Sequence, residues 1–216
     1  MHNPATTRPS FFAEVDILRR DDHRLYHQSR INQTLHLISA CVFLVVYVWV
    51  WFEPAKASVL GWFGAMWVRQ TGHFVFEPRG YDRIHGISNA TKERIKVGFN
   101  VYRKCALIAV WALIPLLLWL DTTAFGLLAA DSTWDVFVQR VGWAWLVLAG
   151  AGLLQRTVYL MVARGAQTGL AWLTKILTDP VHNVREYWRS PFYLLRGQLL
   201  EPLDTVADYR HHAPAN

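Results

Sequence analysis

Cysteine and charge are both scarce in this sequence. Only two cysteines occur among the 216 residues, and both, Cys41 and Cys105, lie within apolar stretches. They therefore give no support to a disulfide framework or a thiolate metal site. Charged residues make up 18% of the chain, whereas a typical soluble domain carries about 25%. Because the hydrophobic residues, 53% of the total, also cluster in long runs, the composition predicts an integral membrane protein.

Four apolar stretches are candidates for helices that cross a hydrocarbon core of ~30 Å. They comprise residues 32–52, 55–77, 105–120 and 140–163. The first 31 residues are too polar for a signal peptide. We therefore predict a single all-α membrane domain over residues 1–216 with about four transmembrane helices.

The basic residues predict which side of the membrane each segment faces. Eighteen of the 22 Lys and Arg residues lie in segments 1–31, 77–104 and 164–216. The polar stretches 53–56 and 121–139 between them hold only Lys56 and the acids Glu53, Asp121, Asp131 and Asp135. By the positive-inside rule, both termini and segments 1–31, 78–104 and 164–216 are expected to be cytoplasmic, with a bacterial inner membrane as the expected location. This alternation also argues against nucleic acid as the partner for the net charge of +6.

Three of the polar segments are expected to form cytoplasmic helices at the membrane interface. Apolar residues alternate with charged ones in 11–28, 89–104 and 168–200, a pattern typical of interfacial helices. Within the last segment, Asp179-Pro180 is expected to end a helix because proline lacks the backbone N–H that a helix interior needs.

Pro54 divides the first two predicted spans and suggests a hairpin. His36 lies 18 residues before Pro54 and His73 lies 19 after it, while Asn32 and Glu77 lie 22 before and 23 after. At ~1.5 Å of rise per residue, an antiparallel hairpin places the members of each pair at nearly the same depth. Residues four apart share a helix face. The spacing therefore predicts a polar site near one membrane surface.

Other histidines are weaker candidates for this site. His27 and His36 are nine residues apart, so one unbroken helix would place them on opposite faces. A break near Ser29, which is suited to cap the first span, would let His27 join the site. His182 is a further candidate metal ligand. His85, beside Gly86, is expected to lie in a loop and not to bind the metal directly. The remaining histidines are expected to lie in tails or on an exposed helix: His2, His23, His211 and His212.

The available side chains suit a transition metal. Imidazole and carboxylate ligands without thiolate fit iron, zinc, copper or manganese, and two histidines with one carboxylate are the ligands of non-haem Fe(II) oxygenases. Asn32 and Gln70 are expected to orient the imidazoles through their second ring nitrogens. Arg69 is expected to assist binding at the site, and Arg69, Arg79 or Arg83 could pair with the carboxylate of a lipid substrate.

The same residues resemble the motifs of the membrane-bound 2-hydroxy-fatty-acid dioxygenases, which cleave 2-hydroxypalmitate in fatty acid α-oxidation. The resemblance covers about 25 residues directly and includes Tyr26, His27, Asn32 and His36, followed by Gly72, His73, Val75, Phe76 and Glu77. After the second motif the chain continues with Pro78-Arg79-Gly80-Tyr81, where the family usually has Arg-Pro-Ala.

This resemblance implies an Fe(II)-dependent oxidoreductase that uses dioxygen to shorten a 2-hydroxy fatty acid by one carbon. It implies His27, His36 and His73 as metal ligands, with Glu77 and Asn32 in support. We therefore predict His27, His36, His73 and Glu77 as the catalytic residues and as metal ligands, with His182 as an additional metal ligand.

Three alternatives stay open at this point. A b-type haem protein could use His36 and His73 as axial ligands, and zinc could replace iron. In a non-enzymatic lipid-binding protein, the histidines would only pair helices. A di-iron hydroxylase is disfavoured because the chain lacks clusters of the His-x-x-His-His kind.

Overall fold

The computed structural model describes residues 8–77, 79–82, 86–95, 100–129 and 133–202. These residues form helices joined by short connections, which confirms the predicted all-α class. The helices are α1 (Phe11–Tyr26), α2 (Arg30–Trp49), α3 (Pro54–Leu60), α4 (Trp67–Thr71), α5 (Asn89–Ile95), α6 (Val101–Leu120), α7 (Trp134–Arg164), α8 (Ala166–Tyr187) and α9 (Ser190–Leu195). The π-helical segment Gly61–Met66 joins α3 to α4, and a second, Gly72–Phe76, follows α4, so that residues 54–76 form one helical arm. We call this stretch the return arm.

Three helices in the described part of the chain are long and apolar enough to cross a membrane. They are α2, α6 and α7, and they correspond to the predicted spans 32–52, 105–120 and 140–163. The remaining predicted span, 55–77, coincides with the return arm, which is helical from end to end but divided into α-helical and π-helical pieces. Three candidate spans therefore support a membrane protein, and a count of four stays a prediction.

The helical path is interrupted between α1 and α2, as predicted. Helix α1 ends at Tyr26, and α2 begins at Arg30. The Ser29 hydroxyl accepts a hydrogen bond from the backbone N–H of Asn32 at 3.4 Å, so Ser29 satisfies one of the unpaired N–H groups that begin every helix. The break lets His27, which follows α1 directly, leave the path of the helix and turn toward α2.

Helix α2 and the return arm form the predicted antiparallel hairpin. Pro54 is the first residue of α3, a position where its missing N–H carries no cost. Farther along, a methyl group on Gly61 would lie 3.6 Å from Val46, and one on Gly64 would lie 3.1 Å from Val42. Sequence numbers thus rise on one helix as they fall on the other, which brings the two predicted histidine positions to the same level.

An aromatic cluster holds the return arm against α6 and α7. The Trp62 ring stacks on Trp111 with 4.7 Å between centroids and lies 5.5 Å from the ring of Trp145. The indole N–H of Trp145 donates to the backbone carbonyl of Trp111 at 2.9 Å, so a buried polar atom is paired within an otherwise apolar core. We call these three residues the tryptophan cluster.

Helix α8 corrects one prediction, because Pro180 lies inside it rather than at its end. A proline costs the helix a hydrogen bond, but packing on both sides of this position holds the helix together. Asp179 is buried and accepts a hydrogen bond from Lys175 at 2.7 Å. The Tyr47 hydroxyl of α2 donates to the carbonyl of Leu177 at 3.1 Å. Tertiary contacts therefore outweigh the local signal for a helix end.

The segment 89–104 also differs from its prediction as one basic surface helix. Helix α5 ends at Ile95, and Asn100 starts α6 by accepting a hydrogen bond from the N–H of Arg103 at 3.0 Å. Lys92 is only 2% exposed, because its ammonium group pairs with Asp82 at 2.9 Å. Part of the expected lipid-facing charge is thus buried beside the carboxyl end of α1.

Candidate metal centre

Three histidines from different parts of the chain converge at the polar end of the hairpin. The Nε2 atom of His36 lies 3.1 Å from Nε2 of His27 and 3.2 Å from Nε2 of His73. One ring nitrogen from each residue falls within 4.8 Å of the other two. All three side chains are buried, with exposed fractions between 0% and 8%. The structure thus brings together the three predicted histidine ligands and turns the same nitrogen of each toward a common point.

The ring of His36 is fixed by its own helix. Its Nδ1 atom lies 2.9 Å from the backbone carbonyl of Asn32, one turn earlier in α2. A carbonyl oxygen can only accept, so Nδ1 carries the hydrogen and the neutral ring presents the lone pair on Nε2. A histidine in this tautomer is ready to bind a metal ion through Nε2.

The ring of His73 is oriented by Glu77. The Glu77 carboxylate lies 2.6 Å from Nδ1 of His73, and its side chain is only 7% exposed. The carboxylate thus faces the outer nitrogen of the ring, away from the other two histidines, whereas the sequence predicted Glu77 as a metal ligand. Its position is that of the carboxylate in a carboxylate–histidine–metal arrangement, which fixes the ring and raises its basicity.

The ring of His27 is held from the distant helix α8. The hydroxyl of Tyr187, the last residue of α8, lies 3.1 Å from Nδ1 of His27. Burial lowers the pKa of His27 well below its usual value, although the Asp22 carboxylate, 4.0 Å away, acts in the opposite direction. The environment thus favours the neutral imidazole, which is the form that binds metals.

The return arm passes close to α2 at Gly72, the residue before His73 in the second motif. A methyl group on residue 72 would overlap the side-chain oxygen of Asn32 and would lie 3.5 Å from the ring of His36. The return arm can therefore approach α2 this closely only with glycine at this position. The side chain of Asn32 is itself held in place, since its amide donates to the carbonyl of Tyr26 at 2.9 Å.

The spacing of the three imidazoles fits a metal ion. Metal–nitrogen bonds of about 2.0–2.1 Å at tetrahedral angles place neighbouring ligand nitrogens about 3.3 Å apart. Two of the three Nε2 distances, 3.1 and 3.2 Å, are close to this value, and His27 and His73 offer ring nitrogens within 4.8 Å of each other. Each outer nitrogen also has a polar partner, as in metal sites of known proteins. The residues present therefore fit a metal held by three histidines.

The remaining predicted site residues lie beside the histidine group or outside it. Asn32 contacts the outer nitrogen of His36 with its backbone carbonyl rather than its side chain. Among the described residues, the side-chain oxygens of Asn32 and Gln70 are buried without a hydrogen-bond partner. The Arg69 guanidinium lies 3.5 Å from Asp179. His182 lines a separate surface pocket and does not join the three histidines, which corrects its prediction as a ligand. His85 and Arg83 fall outside the described residues.

The structure also adds residues that the sequence analysis missed. Tyr187 bridges two histidines, because its hydroxyl lies 3.1 Å from Nδ1 of His23 as well as from His27. His23, which was expected to be exposed, is only 5% exposed, and its Nε2 atom lies 2.9 Å from the Glu201 carboxylate. The only sequence signal was the four-residue spacing of His23 and His27, which places them on one helix face. No local pattern indicated Tyr187.

Comparison with known proteins gives no match. No protein-family model, curated protein or solved structure is detectably similar to the chain. The geometry of the site and the two short motifs are therefore the observations that bear on function.

Proposed function

We propose that the protein is a membrane-bound, non-haem Fe(II)-dependent oxygenase that acts on a fatty-acid-like lipid. Its proposed reaction is the dioxygen-dependent cleavage of a 2-hydroxy fatty acid. The proposal combines the buried histidine group with the resemblance of the two motifs to the 2-hydroxy-fatty-acid dioxygenases. Fe(II) bound by imidazoles with free coordination positions supplies the oxidative chemistry in such enzymes.

The contact between His36 and His73 is the observation that most strongly supports a metal ion at this site. Both rings have their Nδ1 atoms against acceptors, a carbonyl in one case and a carboxylate in the other. In their neutral forms, both rings therefore present lone pairs to each other across 3.2 Å. Two buried lone pairs at this distance repel unless a proton or a cation lies between them. A metal ion shared with His27 satisfies all three nitrogens at once.

The three histidines by themselves fit zinc as well as iron. The oxygenase ligand set of two histidines and one carboxylate is not reproduced, because Glu77 binds the outer nitrogen of His73. Three histidines are also the ligands of catalytic zinc in some hydrolytic enzymes. Zinc is therefore the second candidate, and the motif resemblance is the reason for preferring iron.

A haem between His36 and His73 is disfavoured by the packing. Axial ligation requires space for a flat macrocycle between the two rings. That space is occupied, since His27 Nε2 lies 3.1 Å from His36 Nε2, and the Asn32 side chain fills the gap beside Gly72. The three-histidine arrangement therefore favours a single ion over a haem.

A lipid substrate follows from the membrane setting of the site. The three histidines lie where the apolar helix α2 gives way to the polar residues at its start. An acyl chain could stay in hydrocarbon while its carboxylate reaches Arg79, which is exposed just beyond Glu77. We further propose that both termini and this end of α2 face the cytoplasm of a bacterium across its inner membrane.

Elemental analysis of protein purified without oxygen tests the proposal directly. We expect about one iron per chain, no haem absorption in the visible spectrum and turnover of 2-hydroxy fatty acids. The variants His36→Ala and His73→Ala should lose both metal and turnover, whereas His182→Ala, a control outside the histidine group, should keep both.

Other results would each replace the proposal with a different function. Stoichiometric zinc would favour a hydrolytic enzyme, and a strong Soret band would favour a haem protein. The complete absence of bound metal after anaerobic purification would favour a non-enzymatic lipid-binding protein.

A further inference from the structure

A second site lies on the surface beside α9 and is separate from the histidines. A pocket of ≈ 360 Å³ opens between the end of α8 and helix α9. Its lining combines three aromatic rings with two guanidinium groups, contributed by Trp188, Arg189, Phe192, Tyr193 and Arg196. We call it the arginine–aromatic pocket.

No carboxylate within the described residues neutralises the positive charge of this pocket. Arg189 stacks on the Trp188 ring at 4.8 Å. Among the described residues, neither Arg189 nor Arg196 lies within ion-pair distance of a carboxylate. By contrast, Arg30 at the edge of the same region is paired with Glu201 at 3.7 Å. Two free guanidinium groups beside aromatic faces form a site for an anion, and guanidinium matches phosphate oxygens in a bidentate geometry.

The surface around the pocket is apolar as well as basic. Phe192 is 56% exposed, Trp188 is 50% exposed and Leu195 is 85% exposed. Leu199 and Leu200, which follow α9, are also more than half exposed. A basic pocket with exposed aromatic and aliphatic side chains resembles the membrane-interface regions of proteins, where Trp and Tyr lie at the headgroup level and Arg pairs with lipid phosphate.

The pocket is fixed at the polar end of a candidate membrane span. The Ser190 hydroxyl donates to the Gln33 side chain at 2.6 Å, and the Arg30 guanidinium lies over the Tyr193 ring at 4.4 Å. The backbone N–H of Arg30 also donates to the carbonyl of Leu199 at 2.9 Å. These contacts tie α9 to the first turn of α2, where the apolar helix ends and the headgroup region of a bilayer would begin.

We infer that the arginine–aromatic pocket binds the headgroup of an anionic phospholipid. The phosphate is held by Arg189 and Arg196, and the acyl chains extend along the exposed apolar side chains of α9. The inference requires neither the metal nor the proposed reaction. It requires only that α2 lies in a membrane.

Native mass spectrometry of the full chain in detergent tests this inference with two defined lipids. Phosphatidylglycerol and phosphatidylcholine with identical acyl chains are titrated onto the protein. We expect preferential binding of phosphatidylglycerol, and a loss of affinity of roughly tenfold or more in the double variant Arg189→Gln/Arg196→Gln, since it removes two charge-assisted contacts. Bound metal should not change in this variant, which separates this result from any failure of the proposed function.

A matched control changes the same number of charges elsewhere. The double variant Arg94→Gln/Arg164→Gln removes two exposed arginines from α5 and α7, and it should bind phosphatidylglycerol as the unmodified chain does. If the pocket variant were less stable to heat than the control, the single variant Arg196→Gln would carry the test, because Arg196 is exposed and contacts no described carboxylate.

Three results would overturn the inference. One is equal affinity of the unmodified chain for the two lipids, and another is unchanged affinity for phosphatidylglycerol in the pocket variants. The third is displacement of the bound lipid by palmitate at similar concentration, which would assign the pocket to a fatty acid carboxylate instead.

Discussion

Each of the two π-helical segments of the return arm carries a buried ring, Trp62 in one and His73 in the other, but the two rings are held in opposite ways. Gly61–Met66 contributes Trp62 to the tryptophan cluster, where large rings pack against α6 and α7. Gly72–Phe76 contributes His73 to the histidine group, where the outer nitrogen of each ring has a polar partner. One end of the same arm is therefore held by apolar contact and the other by hydrogen bonds.

The difference separates stability from geometry. Each tryptophan buries about 150–250 Å² of largely apolar surface, and this contribution tolerates small shifts in position. Buried imidazoles add little stability, because removing polar groups from water costs free energy that their hydrogen bonds only partly return. The histidine end is consequently the part of the arm whose stability should depend most on a bound ion.

The largest effect is expected from a change that breaks the histidine end alone. In the variant Gly72→Ala, the new methyl group overlaps the Asn32 side chain, so the arm must move away from α2. Because the ring nitrogens must stay close to bind one ion, we expect nearly complete loss of bound metal. Overpacking of this kind also destabilises the fold by about 1–3 kcal/mol. Elemental analysis and thermal unfolding measure the two effects.

A matched glycine on the same arm provides the control. A methyl group on Gly61 would lie 3.6 Å from Val46, an ordinary contact distance, so Gly61→Ala should bind metal as the unmodified chain does. Equal metal content in the two glycine variants would contradict the role assigned to Gly72.

The next largest effect should break the tryptophan cluster alone. The variant Trp145→Ala removes a buried ring and its hydrogen bond to the Trp111 carbonyl. Core substitutions of this size cost about 3–5 kcal/mol of unfolding free energy. We nevertheless expect the protein that remains folded to contain metal in the normal ratio. A proportionate loss of metal and fold would show that the two ends of the arm are not separable.

A smaller effect on the histidine end is expected from a change that removes only the hydrogen-bond partner of one imidazole. The variant Tyr187→Phe removes the hydroxyl that contacts His27 but keeps the ring. Loss of such an outer partner typically weakens metal binding by about 10–100-fold. Competition with a chelator measures this affinity. The variant Tyr193→Phe, whose ring lies under Arg30, should bind metal normally, and similar losses in both variants would contradict a specific role for Tyr187.

The hairpin end of the site could be predicted from sequence because its geometry is local. Residues 36 and 73 lie at nearly equal distances from Pro54, and helices have a fixed rise per residue. The break at Ser29 follows in the same way from a capping preference. Such arguments need only one helix or one turn at a time, and they located all three histidines.

The rest of the site depends on contacts between distant segments. Tyr187 is 160 residues from His27, and α8 reaches the site only because it continues through Pro180. The contact of Glu77 with the outer nitrogen of His73 could not be predicted, for a different reason. Its four-residue spacing from His73 allows contact with either ring nitrogen, and only the direction of the ring decides which one. Neither long-range packing nor ring orientation is encoded in residue spacing.

The smallest expected effect is on the acid stability of the polar end. Burial raises the pKa of Glu201, but its contacts with His23, together with Arg30 and Gln33, outweigh that effect and lower the pKa overall. A carboxylate with a lowered pKa stabilises the fold fully above its unfolded pKa of about 4.3, and this contribution is lost as the pH falls below that value and through the lower pKa of the folded state. We therefore expect the thermal unfolding midpoint of metal-depleted protein to decrease as the pH is lowered from about 6 to about 3, a range that includes the unfolded pKa.

The variant Glu201→Gln isolates this carboxylate from the other acids of the chain. It should be less stable than the unmodified chain near neutral pH, because His23 and Arg30 lose their charged partner. The difference should shrink as the pH falls, since protonation removes the same charge from the unmodified chain.

Metal depletion matters here because acid also releases metal from histidines. Trp145→Ala provides the contrast, since it changes no charge and should lower the midpoint by a similar amount at every pH. A constant difference for Glu201→Gln would mean that its carboxylate acts through packing alone, and the polar end would then resemble the tryptophan end in the way it is held.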